Sequence, residues 1–118
     1  MVAPKRLIVA PSAYRDLKEI WKHVATDNPV AARAQVKRIL MQADMLRDFP
    51  EMGLDRSLLA PSLRSVVVRP YVVFYYSREE RIEIVRVFHG RQDIRNYGDS
   101  ILFSSLNRAL LGSISRKK

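Results

Sequence analysis

Apolar positions in the first part of the chain recur at the spacing of an α-helix. Residues 5–10 (KRLIVA) form a short apolar run that predicts a strand, and Pro11 closes it. Ser12 comes next, and its hydroxyl could accept a hydrogen bond from a free backbone N–H, so we expect Ser12 to be a helix N-cap. The helix that follows has one apolar stripe, formed by Ala13, Leu17, Ile20, Trp21 and Val24.

A second helical stripe follows after a short break. The break is Asn28-Pro29, which favours a new helix because Asn caps well and Pro is tolerated at the first helical position. Few residues separate the two helices, so we expect an antiparallel helical hairpin. The apolar stripe of the second helix consists of Ala32, Val36, Ile39, Leu40, Ala43 and Leu46, and Phe49-Pro50 ends it.

Strand-like runs replace the helical spacing in the second half. Residues 50–62 contain Gly and two prolines and predict a loop. Runs rich in β-branched and aromatic residues then occupy 63–69, 71–77 and 81–89, with short links that are typical of an antiparallel meander. Early helices and later strands together predict an α+β fold, with the hairpin packed on an antiparallel sheet of three to four strands.

The length of 118 residues suits one domain, spanning 1–118, with a weakly determined C-terminal extension at 98–118. Within the extension, Ser104 to Leu111 could form a short helix. No apolar run approaches the ~20 residues of a membrane span, and the N-terminal run is too short for the core of a signal peptide. With no cysteine in the chain, these features favour a cytoplasmic protein with no membrane partner.

Net charge indicates the chemistry of the partner. The chain has 21 Lys and Arg against 12 Asp and Glu, a formal charge of +9 at pH 7. This balance favours an anionic partner, which could be a nucleic acid, an acidic protein or a negatively charged surface. Composition does not choose among the three.

Several chemistries have no support in the sequence. A phosphate loop, a dinucleotide fingerprint, a zinc spacing and the turn of a serine nucleophile are all missing, so we expect no cofactor and no metal. The two histidines are His23 and His89. His23 lies off the apolar stripe and is interpreted as exposed, whereas Trp21 lies in register with that stripe and is predicted to be in the core.

A basic cluster near the end of the last predicted strand is the sharpest chemical feature. Arginine binds phosphate with two parallel hydrogen bonds, and His or Tyr could move a proton during RNA cleavage. The alternative for Arg86 is a salt bridge, or a side chain whose charged end reaches solvent at the sheet margin. The cluster contains Arg64, Arg86, His89, Arg91 and Arg95, with Tyr97 shortly after.

Strict alternation along this strand places Arg86 and His89 on opposite faces. A shared catalytic group would therefore require the strand end to twist. The face of Arg86 would also hold Ile82, Ile84 and Phe88, and that of His89 would hold Glu83, Val85 and Val87.

An ordered set of segments resembles the ParE/RelE toxin superfamily over residues 5–97. The segments are SAYRDLKEIW (12–21), NPVAAR (28–33), FPEMG (49–53), LRS (63–65), YVVFYY (71–76) and IEIVRVFHGRQD (82–93). Each alone is weak, but their order and spacing are specific. The resemblance implies a helical hairpin on an antiparallel sheet.

The resemblance also implies a type II toxin–antitoxin module. In such modules an acidic, partly disordered antitoxin, here one like ParD, is encoded beside the toxin and holds it inactive in a hetero-oligomer. ParE-like members poison DNA gyrase and have no established nuclease chemistry. RelE-like members cleave messenger RNA on the ribosome, using basic residues of the sheet and a C-terminal tyrosine.

Two departures favour the ParE-like branch and a binding inhibitor over an enzyme. RelE-like ribonucleases have an arginine after the tyrosine of the middle strand, where this chain has Val72 after Tyr71. Residues 65–68 (SVVV) also lack the lysines of that branch. The alternative remains a ribosome-dependent endoribonuclease, for which the candidate catalytic residues are His89, Arg91 and Tyr97.

Two surfaces are candidates for contacts with partners. Target-binding candidates are Arg64, Arg86, His89, Arg91 and Arg95; among them, Arg86 is expected to anchor the strand by pairing with an acidic residue, and Gly90 to permit the turn after His89. The antitoxin is expected to bind a shallow groove beside the hairpin. The candidates for lining that groove are Leu17, Trp21, Val36 and Leu40.

Overall fold

A computed structural model describes residues 4–90 of the chain. Arg91, Arg95 and Tyr97, the predicted helix at 104–111 and the extension at 98–118 lie outside the described residues. The helices are α1 (Pro11–Ala25) and α2 (Pro29–Met45). The strands are β1 (Arg6–Val9), β2 (Leu54–Asp55), β3 (Leu63–Val68), β4 (Tyr71–Ser77) and β5 (Arg81–His89).

The α+β class is confirmed, as is a helical hairpin packed on a sheet, but the sheet differs in two details from the one predicted. It has five strands in the order β1-β5-β4-β3-β2. β1 pairs parallel to β5, whereas the other neighbours are antiparallel. Parallel pairing became possible because the helices intervene between β1 and the other strands. The additional strand β2 has only two residues, too few to be seen in the hydrophobic pattern.

The helix starts show one correction and one confirmation. The N-cap of α1 is Ala10 and not Ser12, because Pro11 occupies the first helical position and the helix begins two residues earlier than predicted. The Ser12 hydroxyl instead donates a hydrogen bond to the Val85 carbonyl, 2.7 Å away. In α2, the Asn28 side chain accepts from the Ala31 N–H at 3.1 Å, as predicted for a cap.

The sheet has an apolar core on each face. The core on the helix side joins residues of α1, α2 and the three long strands; it includes Leu17, Ile20, Ile39, Leu46, Tyr71, Val73, Tyr75, Ile82, Ile84 and Val87. The core on the opposite face contains Ala10, Ala60, Leu63, Val72, Phe74, Tyr76, Val85 and Phe88. Because β4 is buried on both faces, every residue from Tyr71 to Tyr76 is less than 9% exposed.

A bulge in β5 overturns the predicted alternation. Tyr75 pairs with Ile84 and Phe74 with Arg86, so Val85 is an extra residue on β5. Beyond it, Arg86 shares a face with Phe88, and its guanidinium lies 4.3 Å from the centre of that ring. The prediction that Arg86 shares a face with the buried Ile84 was therefore wrong, because one inserted residue reverses every later side chain.

The Tyr75 hydroxyl binds the backbone of the FPEMG segment (49–53). It donates to the Pro50 carbonyl at 2.8 Å and accepts from the Gly53 N–H at 3.0 Å. Burial raises the pKa of this hydroxyl, and the Gly53 hydrogen bond opposes that change. The neutral phenol can both donate and accept, so Tyr75 holds the loop after α2 against the sheet.

Candidate functional site

An open groove runs between α2 and the end of β3, and it encloses a volume of about 1320 Å³. Most of its lining comes from one side of α2, with contributions from α1, β1 and β3. The lining residues are Leu7, Trp21, Arg33, Val36, Lys37, Arg38, Leu40, Met41, Gln42, Asp44, Met45, Val67, Val68 and Arg69.

Three of the four predicted groove residues line this surface, namely Trp21, Val36 and Leu40. The fourth, Leu17, is 8% exposed and lies in the core on the helix side. Trp21 is 47% exposed, so its predicted place in the core was wrong. Ile20 takes the core position instead, because adjacent helical residues point about 100° apart and cannot both face the sheet. His23 is exposed, as predicted.

Sequence patterns missed five apolar residues of the groove, and three of them are well exposed. Met41 and Met45 are 59% and 46% exposed, and Val67 is 53% exposed. The two methionines are four positions apart beside Leu40, a spacing that could have indicated a second apolar face of α2. Methionine adapts its shape to a partner, which suits an interface. Val67 belongs to another element, so its proximity depends on the tertiary fold.

The groove has a basic rim. Four of its lining residues are basic and one is acidic: Arg33, Lys37, Arg38 and Arg69 against Asp44. The Arg38 Nη2 donates to the Arg69 carbonyl at 2.8 Å, which joins α2 to the end of β3. An apolar floor with cationic edges fits an amphipathic segment with acidic flanks.

Arg86 forms the ion pair that the sequence predicted. Its Nε lies 2.8 Å from Asp16 Oδ2, and its Nη2 lies 3.1 Å from Asp16 Oδ1. The same Oδ2 accepts the Val87 N–H at 2.8 Å. The Arg86 and Asp16 side chains are only 19% and 15% exposed. This two-point pair, with the Ser12 hydroxyl on the Val85 carbonyl, fixes α1 to the bulge of β5.

The other described members of the basic cluster do not converge with Arg86. Arg64 lies near the start of β3, where its Nη1 donates to the Gly53 carbonyl at 2.8 Å. His89 ends β5 and meets the edge of the Tyr71 ring, with 5.6 Å between ring centres. Val68 lies level with His89 in the sheet. Arg64 comes four residues before Val68, so Arg64 and His89 are separated by roughly 13 Å along the strand direction. Arg86 and His89 do face opposite sides, as predicted.

Two buried tyrosines of β4 have raised pKa values. Burial raises the pKa of Tyr76, as it does for Tyr75, so both phenols are protonated at neutral pH. Within residues 4–90, no group of three or more His, Asp or Glu side chains could hold a metal ion. Over the same residues, no helix has the length and apolar character required to cross a membrane.

The fold is that of a small basic α+β protein with an open apolar groove, and it agrees with the helical hairpin on a sheet that the resemblance to the ParE/RelE toxin superfamily implies. The family model for the ParE toxin of the type II toxin–antitoxin system parDE matches residues 7–94. The chain therefore belongs to the ParE toxin family, which confirms the predicted toxin function and favours the ParE-like branch over the RelE-like one.

Individual relatives agree with this assignment. Toxin ParE3 of Caulobacter vibrioides is 38% identical over 80 residues, covering 67% of this chain and 80% of that protein. Toxin RelE2 of the same organism is 37% identical over 78 residues, covering 65% and 85%. A solved structure described as the chromosomal ParDE TA system from P. aeruginosa matches with a TM-score of 0.62 and 24% identity, over 72% of this chain and 95% of that one. This last likeness concerns the fold alone.

Proposed function

We propose that this toxin acts by binding and inhibiting DNA gyrase and has no ribonuclease activity. The observation that carries the proposal is the ion pair that Arg86 forms with Asp16. The Nε and Nη2 edge of the Arg86 guanidinium binds Asp16, so a phosphate that used this edge would have to displace a carboxylate at 2.8 Å. Breaking a partly buried pair of this kind is costly.

Other features of the sheet support binding over catalysis. Val72 stands where a RelE-like ribonuclease has an arginine, and it is 6% exposed in the core. His89 and Arg64 lie at opposite ends of the sheet. The proposed gyrase contacts are Arg64, His89, Arg91 and Arg95, with Arg86 positioning the strand that presents them.

We also propose that an acidic antitoxin like ParD binds the groove and holds the toxin inactive in a cytoplasmic hetero-oligomer. The family of the chain and the two-component description of the P. aeruginosa structure support such a partner. The groove supplies apolar contacts through Trp21, Leu40 and Met41, while its basic rim attracts an acidic partner and speeds association. Segments that fold on binding combine apolar anchor residues with charged residues in this way.

The gyrase proposal predicts opposite results in two assays on one sample of the purified full chain. We expect the toxin to block DNA supercoiling by gyrase and to leave ribosome-bound messenger RNA intact. The variants His89→Ala and Arg91→Ala should weaken the gyrase effect without changing the RNA result. Site-specific RNA cuts that disappear in the Tyr97→Phe variant would instead establish the endoribonuclease alternative.

The groove proposal predicts that a double variant, Trp21→Ala with Leu40→Ala, weakens antitoxin binding. Both side chains are partly exposed, at 47% and 39%, so their loss should leave the fold intact. We expect Kd to rise on the order of 30-fold, since buried aromatic and aliphatic anchors each cost more than about 1 kcal/mol when truncated. Calorimetric titration with the acidic protein encoded beside the toxin gene measures the change.

Tyr14→Ala is the matched control for this experiment. Tyr14 is an aromatic residue of α1 that is 58% exposed and lies outside the groove lining. Its variant should bind the antitoxin with unchanged Kd. An equal loss in the control, or an unchanged Kd for a folded double variant, would count against the groove.

A further inference from the structure

Two exposed methionines lie near each other in the groove. Met41 and Met45 are four positions apart on α2, so their side chains lie on one face of the helix. Both line the groove, and they are 59% and 46% exposed. Small solutes can reach side chains with this exposure. The groove therefore presents two accessible thioethers at the surface that the proposed antitoxin contacts.

Methionine is the only sulfur-containing residue type in the chain. There are four methionines and no cysteine, and Met1 lies outside the described residues. Met52 follows α2 in the chain and is 41% exposed, but it does not belong to the groove lining. An oxidant that attacks sulfur therefore acts on methionine side chains in this protein. Met52 serves as an internal reference for Met41 and Met45, because its exposure is similar.

Oxidation of methionine by a peroxide is a balanced two-electron reaction. A lone pair of the sulfur attacks one oxygen of hydrogen peroxide, and the O–O bond breaks. The attacked oxygen stays on the sulfur, while its proton and the departing hydroxide form water. The thioether is thereby oxidised to a sulfoxide and the peroxide is reduced to water. A flexible apolar side chain becomes a polar one with a hydrogen-bond acceptor.

A sulfoxide is poorly suited to the surface on which it would form. Trp21, Leu40 and Val67 also line the groove, and all three are partly exposed apolar side chains. When the apolar anchors of a partner cover this surface, a sulfoxide oxygen loses its bound water, which is unfavourable unless a donor replaces it. The proposed partner is acidic, and its carboxylates only accept hydrogen bonds. We therefore expect oxidation to weaken binding in the groove.

We propose that Met41 and Met45 form an oxidant-sensitive modification site, and that their conversion to sulfoxides by a peroxide hinders recapture of the free toxin by the antitoxin. This inference rests on the proposed antitoxin binding and deepens it, because it adds a regulation of the same surface. A bound antitoxin covers both thioethers, so the oxidant acts on the free toxin. The oxidised toxin stays free until methionine sulfoxide reductases restore the thioethers.

Binding measured before and after oxidation tests the proposal. The purified full chain is treated with hydrogen peroxide, and calorimetric titration gives Kd for the acidic protein encoded beside the toxin gene. We expect Kd to rise on the order of tenfold once both sulfoxides have formed. Treatment with methionine sulfoxide reductases for both sulfoxide epimers should return Kd to its initial value.

Two leucine variants assign the effect to particular residues. Leucine keeps an apolar side chain of similar volume but has no sulfur. In the double variant, Met41→Leu with Met45→Leu, the ratio of Kd after peroxide to Kd before it should fall below about twofold, whatever the starting Kd. Met52→Leu is the matched control and should keep the wild-type ratio. A high ratio in the double variant, which retains Trp21, would assign the loss to another residue and overturn the proposal.

Oxidation of the unmodified chain with and without the antitoxin is a second measurement, which does not depend on the folding of a variant. Peptide mass spectrometry follows the oxygen added to each methionine over time. We expect Met41 and Met45 to be oxidised much more slowly in the complex than in the free toxin, and Met52 at similar rates in both. Equal rates for Met41 and Met45 in the two samples would show that the antitoxin leaves them uncovered, which would overturn the proposal.

The failure of this inference is distinguishable from the failure of the function on which it rests. If the unoxidised toxin forms no complex, the antitoxin proposal fails, and the oxidant-sensitive site fails with it. If the complex forms and the toxin oxidised at both positions binds with an unchanged Kd, only the oxidant-sensitive site is overturned.

Discussion

Replacing Gly53 with alanine is expected to lower the free energy of unfolding by about 3 kcal/mol, a large share of the stability of a small domain. A Cβ at this position would lie 2.6 Å from the Ser65 carbonyl oxygen and 2.7 Å from the Tyr75 hydroxyl. Ser65 is only 2% exposed and Tyr75 is fully buried, so neither can move aside easily. The Gly53 N–H would also lose its partner as the loop is pushed away.

Urea denaturation of the full chain measures this effect, and Gly90→Ala is the matched control. At Gly90 the new Cβ would lie 3.3 Å from the Pro70 carbonyl and from a Val72 methyl, a contact that small shifts can relieve. We expect the control to cost less than about 1 kcal/mol. Equal losses in the two variants would show that the close approach of Gly53 to Tyr75 does not determine the stability of this loop.

Removing the carboxylate of Asp16 is the second change with a large expected effect. Asp16→Ala leaves both the Arg86 guanidinium and the Val87 N–H without their acceptor in a mostly buried location. We expect Asp16→Ala to lower the free energy of unfolding by about 3 kcal/mol and Arg86→Ala to lower it by about 2 kcal/mol. The second loss is smaller because Arg86→Ala leaves the Asp16 charge unpaired but keeps the hydrogen bond from the Val87 N–H. Thermal and urea unfolding of both variants measure these losses.

A double-mutant cycle isolates the pair from its surroundings. The double variant should be less destabilised than the two single losses combined, because each single variant leaves an unpaired charge. The exposed Glu19–Lys22 pair of α1, with 3.9 Å between its charged atoms, is the control and should show no measurable coupling. Additive losses for Asp16 and Arg86 would contradict their role as a joint anchor of α1 on β5.

The sequence predicted the features that depend on neighbours along the chain. Helical spacing located α1 and α2, and Asn28 was recognised as a cap because a cap acts within its own turn. The β-branched and aromatic runs located β3, β4 and β5 to within a residue of their ends. An acidic partner for Arg86 was predicted as well, as an anchor for the end of the strand.

The groove was predicted less completely than the fold. Trp21, Val36 and Leu40 were recognised from the faces of the two helices, yet Leu17 proved to be interior and Val67 was missed. Helical periodicity states which residues share a face. It does not state how far the sheet extends beneath that face, and this extent decides whether an apolar residue is core or lining.

The sequence by itself determined the α+β class, the order of the long elements and the toxin family, because these follow from local periodicity and from ordered motifs. Only the tertiary structure decided that β1 runs parallel to β5, that Asp16 is the partner of Arg86, and that Val85 forms a bulge. It also decided that the Ser12 hydroxyl binds β5 and caps no helix. The β1–β5 pairing and the contacts of Asp16 and Ser12 join residues 70 or more positions apart, and the bulge depends on how β4 and β5 align; such pairing is set by the packing of whole elements, which no local pattern encodes.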